Sequence, residues 1–394
     1  MILVENRMKD LETLFRNLDI STTMYKNAVD KYNAIASYLE TKGIKCDIYP
    51  QGSFALGLVT RPVKKEKDVN YDLDVICELV YDKEKITPEY LKHLIGNALK
   101  ESQTYKDRLI EYDKCWTLEF AEINEIAFNM DIIPSVEDKK TLSFYFDTNF
   151  LAITSKNEKD DYDWITINPK DYQSWFENIN KPFLDYCQDS EKRLFMESYK
   201  TIYNKVEEIP PYFIKSPLQR VIQLLKRQRD IYFSAIKKED KKPISAIITT
   251  LCSQIGEKAN KNISDVELLT YIVSELDIYS KLMNDSEELF NKTYSEKVTI
   301  KKRKNKWEIL NPVNPEDNLA DSWNDDKEKA ELFFGWIKNL QKTFLGYKEI
   351  NDKEFFSILE SSLGSTYVNK YIERKKYEMP VASVLSAHKK SWGY

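Results

Sequence analysis

Asp72, Asp74 and Asp131 lie within apolar segments of the chain, where ionised side chains are costly unless they serve a purpose. Asp72 and Asp74 alternate with Leu73, so on a β-strand both carboxylates face the same side while Leu73 faces the core. Two acids on one face repel each other unless a cation lies between them. Mg²⁺ is the natural candidate, because it binds one or two carboxylates and completes its octahedron with water and substrate phosphates.

A small-residue turn, Gly52-Ser53, precedes the acidic pair, and Asp72 follows Ser53 after nineteen residues. Alone, a glycine-serine pair more often only makes a turn, and Asp131 alone would more often be a buried acid paired with a lysine or arginine. In combination, the turn and the three carboxylates predict metal-assisted phosphoryl transfer. We expect Asp72, Asp74 and Asp131 to bind two Mg²⁺ ions, or Mn²⁺ in their place, which would activate an attacking hydroxyl and neutralise the leaving pyrophosphate.

The composition is that of an ordinary globular protein. The chain has 394 residues, of which 42% are hydrophobic, and this length suits one large domain or two tightly joined ones. It contains no run of about eighteen apolar residues, and Met1–Lys9 lacks the pattern of a secretion signal, so we expect a cytoplasmic protein without membrane insertion. The net charge of -5 argues against a protein that coats nucleic acid.

The cysteines do not form a metal-binding or disulfide pattern. They are odd in number, widely spaced and accompanied by only two histidines. We therefore expect buried free thiols rather than a structural zinc site. The five are Cys46, Cys77, Cys115, Cys187 and Cys252.

The acidic residues require strands to position them. The spacing of apolar residues predicts such strands, together with several helices. Apolar residues recur at helical spacing over Met8–Leu18, and a second helix should follow the Ser21–Thr23 capping signal and end before Gly43. A further helix is expected near Thr87–Ser102. Short apolar or alternating runs bounded by turn residues predict four strands: Cys46–Tyr49, Leu73–Leu79, Trp116–Phe120 and Ala127–Ile133.

The second half of the chain is predicted to be mostly helical from about residue 195 onward. Ser216-Pro217 is a capping residue followed by proline in the first helical turn, and an apolar stripe starts at Leu218. The basic run Lys301–Lys306 is expected to be a solvated hairpin turn within the strand-like segment Lys297–Leu310. Further helices are predicted at Ile244–Cys252, Val266–Asn284, Lys327–Phe344 and Asp352–Leu363.

The combination of motifs resembles the polymerase-β-like nucleotidyltransferases. Gly52-Ser53, Asp72-x-Asp74 and Asp131 match the signature of that superfamily. The wider context is similar to the bacterial relatives of cyclic GMP-AMP synthase and oligoadenylate synthase. It consists of Gln51–Gly57, Arg61-Pro62, Tyr71–Leu79, Asn168-Pro169-Lys170 with Trp175-Phe176, and Asn311–Pro315.

The resemblance implies an α+β fold with two parts. A polymerase-β-like nucleotidyltransferase core, with a mixed sheet and helices, is joined to a helical C-terminal domain, and the active site lies in the cleft between them. We therefore expect N-terminal helices that pack across both halves in residues 1–45 and the catalytic core in residues 46–200. A mainly helical domain that closes the nucleotide cleft is expected in residues 201–394.

The resemblance also implies a role for each site residue. Ser53 holds the triphosphate, and Gly52 allows the backbone to approach it closely. Asp72 and Asp74 bind both metal ions. Asp131 binds the catalytic metal and helps to deprotonate the attacking ribose hydroxyl.

Two more nucleotide-binding residues follow from the same resemblance. Lys226 matches a lysine that contacts the donor phosphates, although a solvated helix lysine is the alternative. Ser245 matches a serine near the start of the next helix with a similar role, and a helix N-cap is the alternative. Ala246 stands where the animal enzymes have a base-stacking aromatic residue. Trp175 and Phe176 are interpreted as core aromatics.

The implied activity joins nucleoside triphosphates, ATP among them, into a cyclic oligonucleotide second messenger of anti-phage signalling and releases pyrophosphate. The product would act on a separate effector protein. A ubiquitin-transfer-like protein would conjugate the C-terminal end Lys389–Tyr394, whose sequence is polar. A frayed terminus without a partner is the alternative interpretation of this polar end and explains it equally well. The zinc insertion with which cyclic GMP-AMP synthase grips DNA is absent, which argues against direct activation by DNA.

Two other functions stay open at this stage. The same carboxylates would serve a template-independent nucleotidyltransferase that acts on RNA, a protein or a small-molecule acceptor. A non-catalytic nucleotide-binding scaffold is the third hypothesis, although the intact Ser53, Asp72, Asp74 and Asp131 do not favour it.

Overall fold

The computed structural model of the chain describes residues 2–60, 63–64, 67–68, 71–123, 126–139, 149–198, 214–294, 300–346 and 350–373. Three predicted features lie outside these residues: the Arg61-Pro62 motif, the C-terminal end Lys389–Tyr394 and the domain boundary expected at residue 200. No helix within the described residues combines the length and the hydropathy that a membrane span requires.

The helices begin where the sequence supplies capping residues. The side chain of Ser21 accepts a hydrogen bond from Met24 N, and Ser216 forms a capping box with Gln219. The helices are α1 (Ile2–Arg16), α2 (Thr22–Thr41), α3 (Gly52–Ala55), α4 (Pro88–Lys100), α5 (Pro169–Ser198), α6 (Pro217–Ala235), α7 (Ser245–Gly256), α8 (Asp265–Leu282), α9 (Glu287–Tyr294), α10 (Asp321–Asp325), α11 (Lys327–Phe344), α12 (Asp352–Leu363) and α13 (Ser365–Tyr371).

One mixed sheet organises the first half of the chain. The strands are β1 (Cys46–Pro50), β2 (Val63–Lys64), β3 (Lys67–Asp68), β4 (Tyr71–Leu79), β5 (Leu109–Glu111), β6 (Trp116–Ile123), β7 (Ile126–Glu137), β8 (Leu151–Lys156), β9 (Tyr162–Ile167), β10 (Lys301–Arg303), β11 (Lys306–Glu308), β12 (Leu310–Asn311) and β13 (Asn314–Asn318). The strand order of the sheet is β1-β4-β7-β6-β5, and β8 and β9 extend it from the end of β7. Among the described strands of this sheet, β4 and β7 form the one parallel pair.

The two faces of the sheet have different surroundings. Leu73 and Val75 of β4 are fully buried in a core that also contains apolar residues of α2 and α4. The side chains of Asp72 and Asp74 alternate with them and face the other side, as the sequence predicted. The sheet therefore packs its helices on one face and presents its carboxylates on the opposite face.

The helical half has a core of its own, which extends into the N-terminal segment. Leu11, Leu14 and Phe15 of α1 pack in this core together with residues of α6, α7, α8 and α11. Apolar residues of α2 instead pack with the sheet. Consecutive helices thus lie against different halves of the molecule. Phe176 of α5 is also buried in the helical core, which confirms its interpretation as a core aromatic.

Some elements agree closely with the prediction and others were missed. The helices at Lys327–Phe344 and Asp352–Leu363 have the predicted bounds. The run Lys301–Lys306 forms a hairpin whose two turn residues, Lys304 and Asn305, have positive φ. The pattern did not predict β5, β8 or β9. The mostly helical second half begins with the helix at Pro169 rather than near residue 195. All five cysteines are free thiols, as expected, but Cys46 and Cys187 are half-buried rather than buried.

Gly96 of α4 permits the helix to pack directly on the sheet. A Cβ at this position would lie 2.1 Å from Cζ2 of Trp116, whose Nε1 donates a 2.9 Å hydrogen bond to Lys92 O. The indole is therefore held in place, and overpacking is expected. We predict that Gly96→Ala lowers the free energy of unfolding by about 2 kcal/mol, measured by chemical denaturation, despite the higher helix propensity of alanine.

Gly335 of α11 provides the matched control, because it is also inside a helix. The nearest atom to a Cβ there is Tyr232 Oη at 3.4 Å, an ordinary contact. Gly335→Ala should leave stability unchanged or raise it by up to about 1 kcal/mol. Equal effects of the two substitutions would contradict the packing described for Gly96.

Candidate active site

The register of neighbouring strands brings the three predicted carboxylates together. Asp74 of β4 is paired directly with Asp131 of β7. Thr117 of β6 lies opposite Asp131 on the other side, and its Oγ1 donates a 2.5 Å hydrogen bond to Asp131 Oδ1. Asp72 is paired with Asn129, whose Nδ2 donates to Asp72 Oδ1 at 3.1 Å. The parallel pairing of two strands therefore creates the acidic cluster.

The Gly52-Ser53 turn lies against this cluster. Gln51 N donates a 2.9 Å hydrogen bond to Asp74 O, which attaches the start of α3 to β4. Gly52 has φ +57°, and a Cβ there would lie 3.1 Å from Asp74 Oδ2. Glycine is thus required for the backbone conformation and for the close approach to the carboxylate. The turn that the sequence predicted as a phosphate-binding element adjoins the acids directly.

Lys226 reaches the turn from the helical half. It is buried in α6, and its Nζ donates to Ser53 Oγ at 2.7 Å and to Leu58 O at 2.9 Å. Two glutamines of the same helix reach the same segment: Gln219 Nε2 donates to Leu56 O and Gln223 Nε2 donates to Val59 O, each at 2.9 Å. The alternative of a solvated helix lysine is therefore wrong, and the nucleotide-binding role of Lys226 stays a prediction.

Ser245 is the first residue of α7 rather than its N-cap, which is Ile244. Its Oγ accepts a 3.2 Å hydrogen bond from Arg229 Nη1, which also donates to Pro243 O at 3.0 Å. Arg229 in turn forms an ion pair with Asp230 at 2.8 Å. The capping alternative is therefore wrong, because the hydroxyl of Ser245 is bound by an arginine of α6.

Burial and neighbouring charges shift the ionisation of the site. Burial raises the pKa of Asp74 to about 7, and the negative charges of Asp131 and Asp72 act in the same direction. Burial also lowers the pKa of Lys226 to about 7, and the charge of Arg229 contributes to this decrease. Asp74 and Lys226 each oppose the shift of the other. Both pKa values therefore lie near neutral pH, where a charge bound nearby changes the protonation state of either group.

All predicted site residues line one cleft of about 820 Å³ between the two halves. The open face of the sheet forms one wall, and α6 and α7 form the opposite one. Asn168-Pro169 and Asn311 also line the cleft, whereas Trp175 and Phe176 are not among its lining residues. The predicted set comprises Gly52, Ser53, Asp72, Asp74, Asp131, Lys226 and Ser245.

The donor set determines which metal ion the site could hold. In the part of the chain that the structure describes, no group of three or more His, Cys, Asp or Glu side chains is arranged to hold a metal ion by itself. The acids of the cleft, Asp72, Asp74 and Asp131, are hard oxygen donors on one sheet face. Such an open site fits Mg²⁺, which retains waters and binds substrate phosphates beside one or two carboxylates.

Comparisons with known proteins show which sequences and folds this chain is similar to. Residues 6–180 match the model of the Second Messenger Oligonucleotide or Dinucleotide Synthetase domain. The chain is 28% identical over 370 residues to a c-di-GMP synthase from Roseivirga ehrenbergii, which covers 91% of this chain and 85% of the relative. The structure of the CD-NTase CdnG from Bradyrhizobium diazoefficiens in complex with GTP has a TM-score of 0.68 at 19% identity, over 92% of this chain and 96% of that one. Residues 6–180 therefore form a domain of the Second Messenger Oligonucleotide or Dinucleotide Synthetase type, and the whole chain has the fold of the CD-NTase CdnG.

The α+β fold expected from the sequence is that of a CD-NTase, and the chain is a nucleotidyltransferase. The cyclic dinucleotide synthase CdnG of Bradyrhizobium diazoefficiens is a second relative in sequence, 24% identical over 244 residues. That match covers 57% of this chain and 53% of the relative.

Several residues that line the cleft were missed in the sequence. Arg229 and Asp230 are adjacent, and each looked like an ordinary charged residue of a helix. Their only signal was their position three and four residues after Lys226, which places all three on neighbouring parts of α6. Tyr172 carried no signal, because α5 was not predicted. Lys114 lies just before the predicted strand Trp116–Phe120 and looked like an ordinary loop lysine. Tertiary structure alone brings these residues to the cleft.

The shifted pKa of Asp74 predicts a pH-dependent gain of stability in Asp74→Asn. Between about pH 4 and pH 7, the folded protein retains a proton on Asp74 that the unfolded chain has released, so the contribution of this group to stability falls as the pH rises. Asparagine removes that dependence. We expect metal-free Asp74→Asn to exceed the wild type by about 1–3 kcal/mol at pH 8, with a smaller gain at pH 5, in urea denaturation.

Asp72→Asn is the matched control, because Asp72 is more exposed and keeps a hydrogen bond from Asn129. Its gain should be smaller. A loss of stability in Asp74→Asn at pH 8 would contradict the assigned electrostatics.

Proposed function

We propose that this protein converts nucleoside triphosphates into a cyclic dinucleotide and releases pyrophosphate. The observation that carries the proposal is the arrangement of the cleft, in which three carboxylates on one sheet face adjoin a glycine-serine turn bound by a buried lysine. The three carboxylates suit a reacting hydroxyl, and the glycine-serine turn with its lysine suits a triphosphate. The names of the two sequence relatives, a c-di-GMP synthase and a cyclic dinucleotide synthase, support the cyclic product.

GTP is the proposed substrate. The Roseivirga relative is named for a product made of two guanosine nucleotides, and the CdnG structure holds GTP. ATP, which the sequence resemblance suggested, would then be a competing rather than a preferred substrate. The preference for GTP over ATP can therefore be compared directly with that of those relatives.

In the proposed reaction, a ribose hydroxyl of one nucleotide attacks the α-phosphorus of another. The new O–P bond forms, the bond to the β-phosphate oxygen breaks, and pyrophosphate leaves. Asp131 accepts the hydroxyl proton in this proposal, which is supported by the hydrogen bond from Thr117 Oγ1 that orients its carboxylate. Ser53 and Lys226 hold the donor phosphates, and a second, intramolecular attack closes the ring.

Asp72, Asp74 and Asp131 would hold the two Mg²⁺ ions of the proposed reaction. When bound, these ions neutralise phosphate charge and assist the deprotonation of the hydroxyl. The raised pKa of Asp74 supports this role, because burial and the two neighbouring acids leave that carboxylate short of positive charge. Mn²⁺ has the same preference for oxygen ligands and would substitute.

The biological setting follows from the same proposal. The product would act as a second messenger on a separate effector protein in anti-phage signalling in the cytoplasm. A ubiquitin-transfer-like partner would act on Lys389–Tyr394, and truncation of these residues with unchanged conjugation would remove that part of the proposal.

Substitution of the acidic pair tests the site. Asp72→Asn combined with Asp74→Asn should reduce product formation by about a thousandfold or more. The two carboxylates that would hold the metal ions are lost, and with them the positive charge that stabilises the reacting phosphate. The folded state should persist, which circular dichroism and thermal melting would show. Substantial residual synthesis by the folded double variant would contradict the assignment.

Product analysis tests the reaction itself. The purified protein, incubated with Mg²⁺ and all four ribonucleotides, should form a phosphatase-resistant product with the mass of cyclic di-GMP, and EDTA should abolish it. A linear product would keep a terminal phosphate that phosphatase removes, which would instead indicate transfer to another acceptor. Nucleotide binding without any product would indicate a scaffold.

A further inference from the structure

The turn between β5 and β6 is held by an unusual buried cation. Lys92 of α4 has no exposed side-chain surface. Its ammonium donates hydrogen bonds to three carbonyl oxygens of this turn, at 2.7 Å to Tyr112 O and at 3.0 Å to Asp113 O and to Cys115 O. Three acceptors satisfy all three N–H groups of the lysine. The turn is thereby fixed to the helix beneath it.

A second set of bonds fixes the same turn to the neighbouring strand. Asp113 Oδ1 accepts a 2.8 Å hydrogen bond from Ser155 Oγ and a 2.6 Å bond from Lys156 N, both in β8. The residue between these anchors is Lys114. Its backbone is held on both sides, and its exposed side chain lines the cleft.

Lys114 differs from the other cations of the cleft. Lys226 is bound to Ser53 and to a carbonyl oxygen, and both Arg229 and Lys242 are paired with Asp230. Lys114, in contrast, has no hydrogen bond or ion pair to any residue that the structure describes. A rigid turn therefore presents an uncommitted positive charge to the cleft.

The position of this charge relative to the carboxylates suggests its ligand. Lys114 lies three residues before Thr117, the partner of Asp131, and so belongs to the sheet wall. Lys226, the proposed donor-phosphate ligand, belongs to the helical wall. A nucleotide whose hydroxyl is activated at Asp131 brings its own 5′-triphosphate, and these negative charges need a cation apart from the donor site.

We propose that Lys114 binds the 5′-phosphates of the acceptor nucleotide, the one that supplies the attacking hydroxyl. This assignment rests on the proposed function. Lys92 and Asp113 are positioning residues, which hold the turn so that the backbone of Lys114 loses little freedom on binding. In this proposal the sheet wall binds the acceptor phosphates through Lys114, and the helical wall binds the donor phosphates through Lys226.

The experiment separates acceptor from donor. The donor is 2′,3′-dideoxy-GTP, which has no ribose hydroxyl to attack with. The acceptor is either guanosine or the α,β-methylene analogue of GTP, which keeps a triphosphate but cannot be attacked at its α-phosphorus. We expect Lys114→Ala to raise KM for the triphosphate acceptor by about tenfold or more, as for the loss of a charged hydrogen bond, and to leave transfer to guanosine unchanged.

Two variants accompany this test. Lys114→Arg should retain most of the affinity for the triphosphate acceptor, because the charge is kept. Lys159→Ala removes an exposed lysine that does not line the cleft, and it should change neither reaction. Equal loss with both acceptors, or no loss with the triphosphate acceptor, would overturn the assignment. A wild-type protein that transfers the dideoxynucleotide to neither acceptor would contradict the proposed function, and the role of Lys114 with it.

Discussion

The parallel pairing of β4 with β7 is the constraint on which the rest of the site depends. In this register Asp74 lies beside Asp131, and the alternating apolar residues of both strands enter the core beneath α2 and α4. Because side chains alternate along a strand, a slip of one residue would exchange the two faces and bury the acids. The hydrophobic core therefore enforces the alignment of the carboxylates.

The second half of the molecule completes what the sheet begins. Three residues of α6, Gln219, Gln223 and Lys226, donate to carbonyl oxygens of the short segment after the Gly52-Ser53 turn. These bonds hold the glycine-serine turn between an acidic wall and a basic helix. The arrangement keeps three carboxylates close together at a cost in stability, and a substrate with negative phosphates and positive counterions would relieve it.

The parts of this structure that local pattern encodes could be predicted from the sequence. Alternation around Leu73 predicted the shared face of Asp72 and Asp74, and the caps at Ser21 and Ser216 predicted two helix starts. Contacts between distant segments could not be predicted. The bond from Lys226 to Ser53 joins residues 173 positions apart, and the buried Lys92 reads in sequence like any helix lysine. Its role depends on a turn that only the folded sheet creates.

The central claim is that one cleft holds a triphosphate on the Gly52-Ser53 turn with its reacting phosphate at the three carboxylates. A crystal structure with Mg²⁺ and a non-hydrolysable GTP analogue tests this most directly. The account predicts phosphate oxygens in contact with Ser53 and Lys226, and electron density for metal ions between the phosphates and Asp72, Asp74 and Asp131. A nucleotide bound elsewhere, or one with its phosphates directed away from the carboxylates, would contradict it.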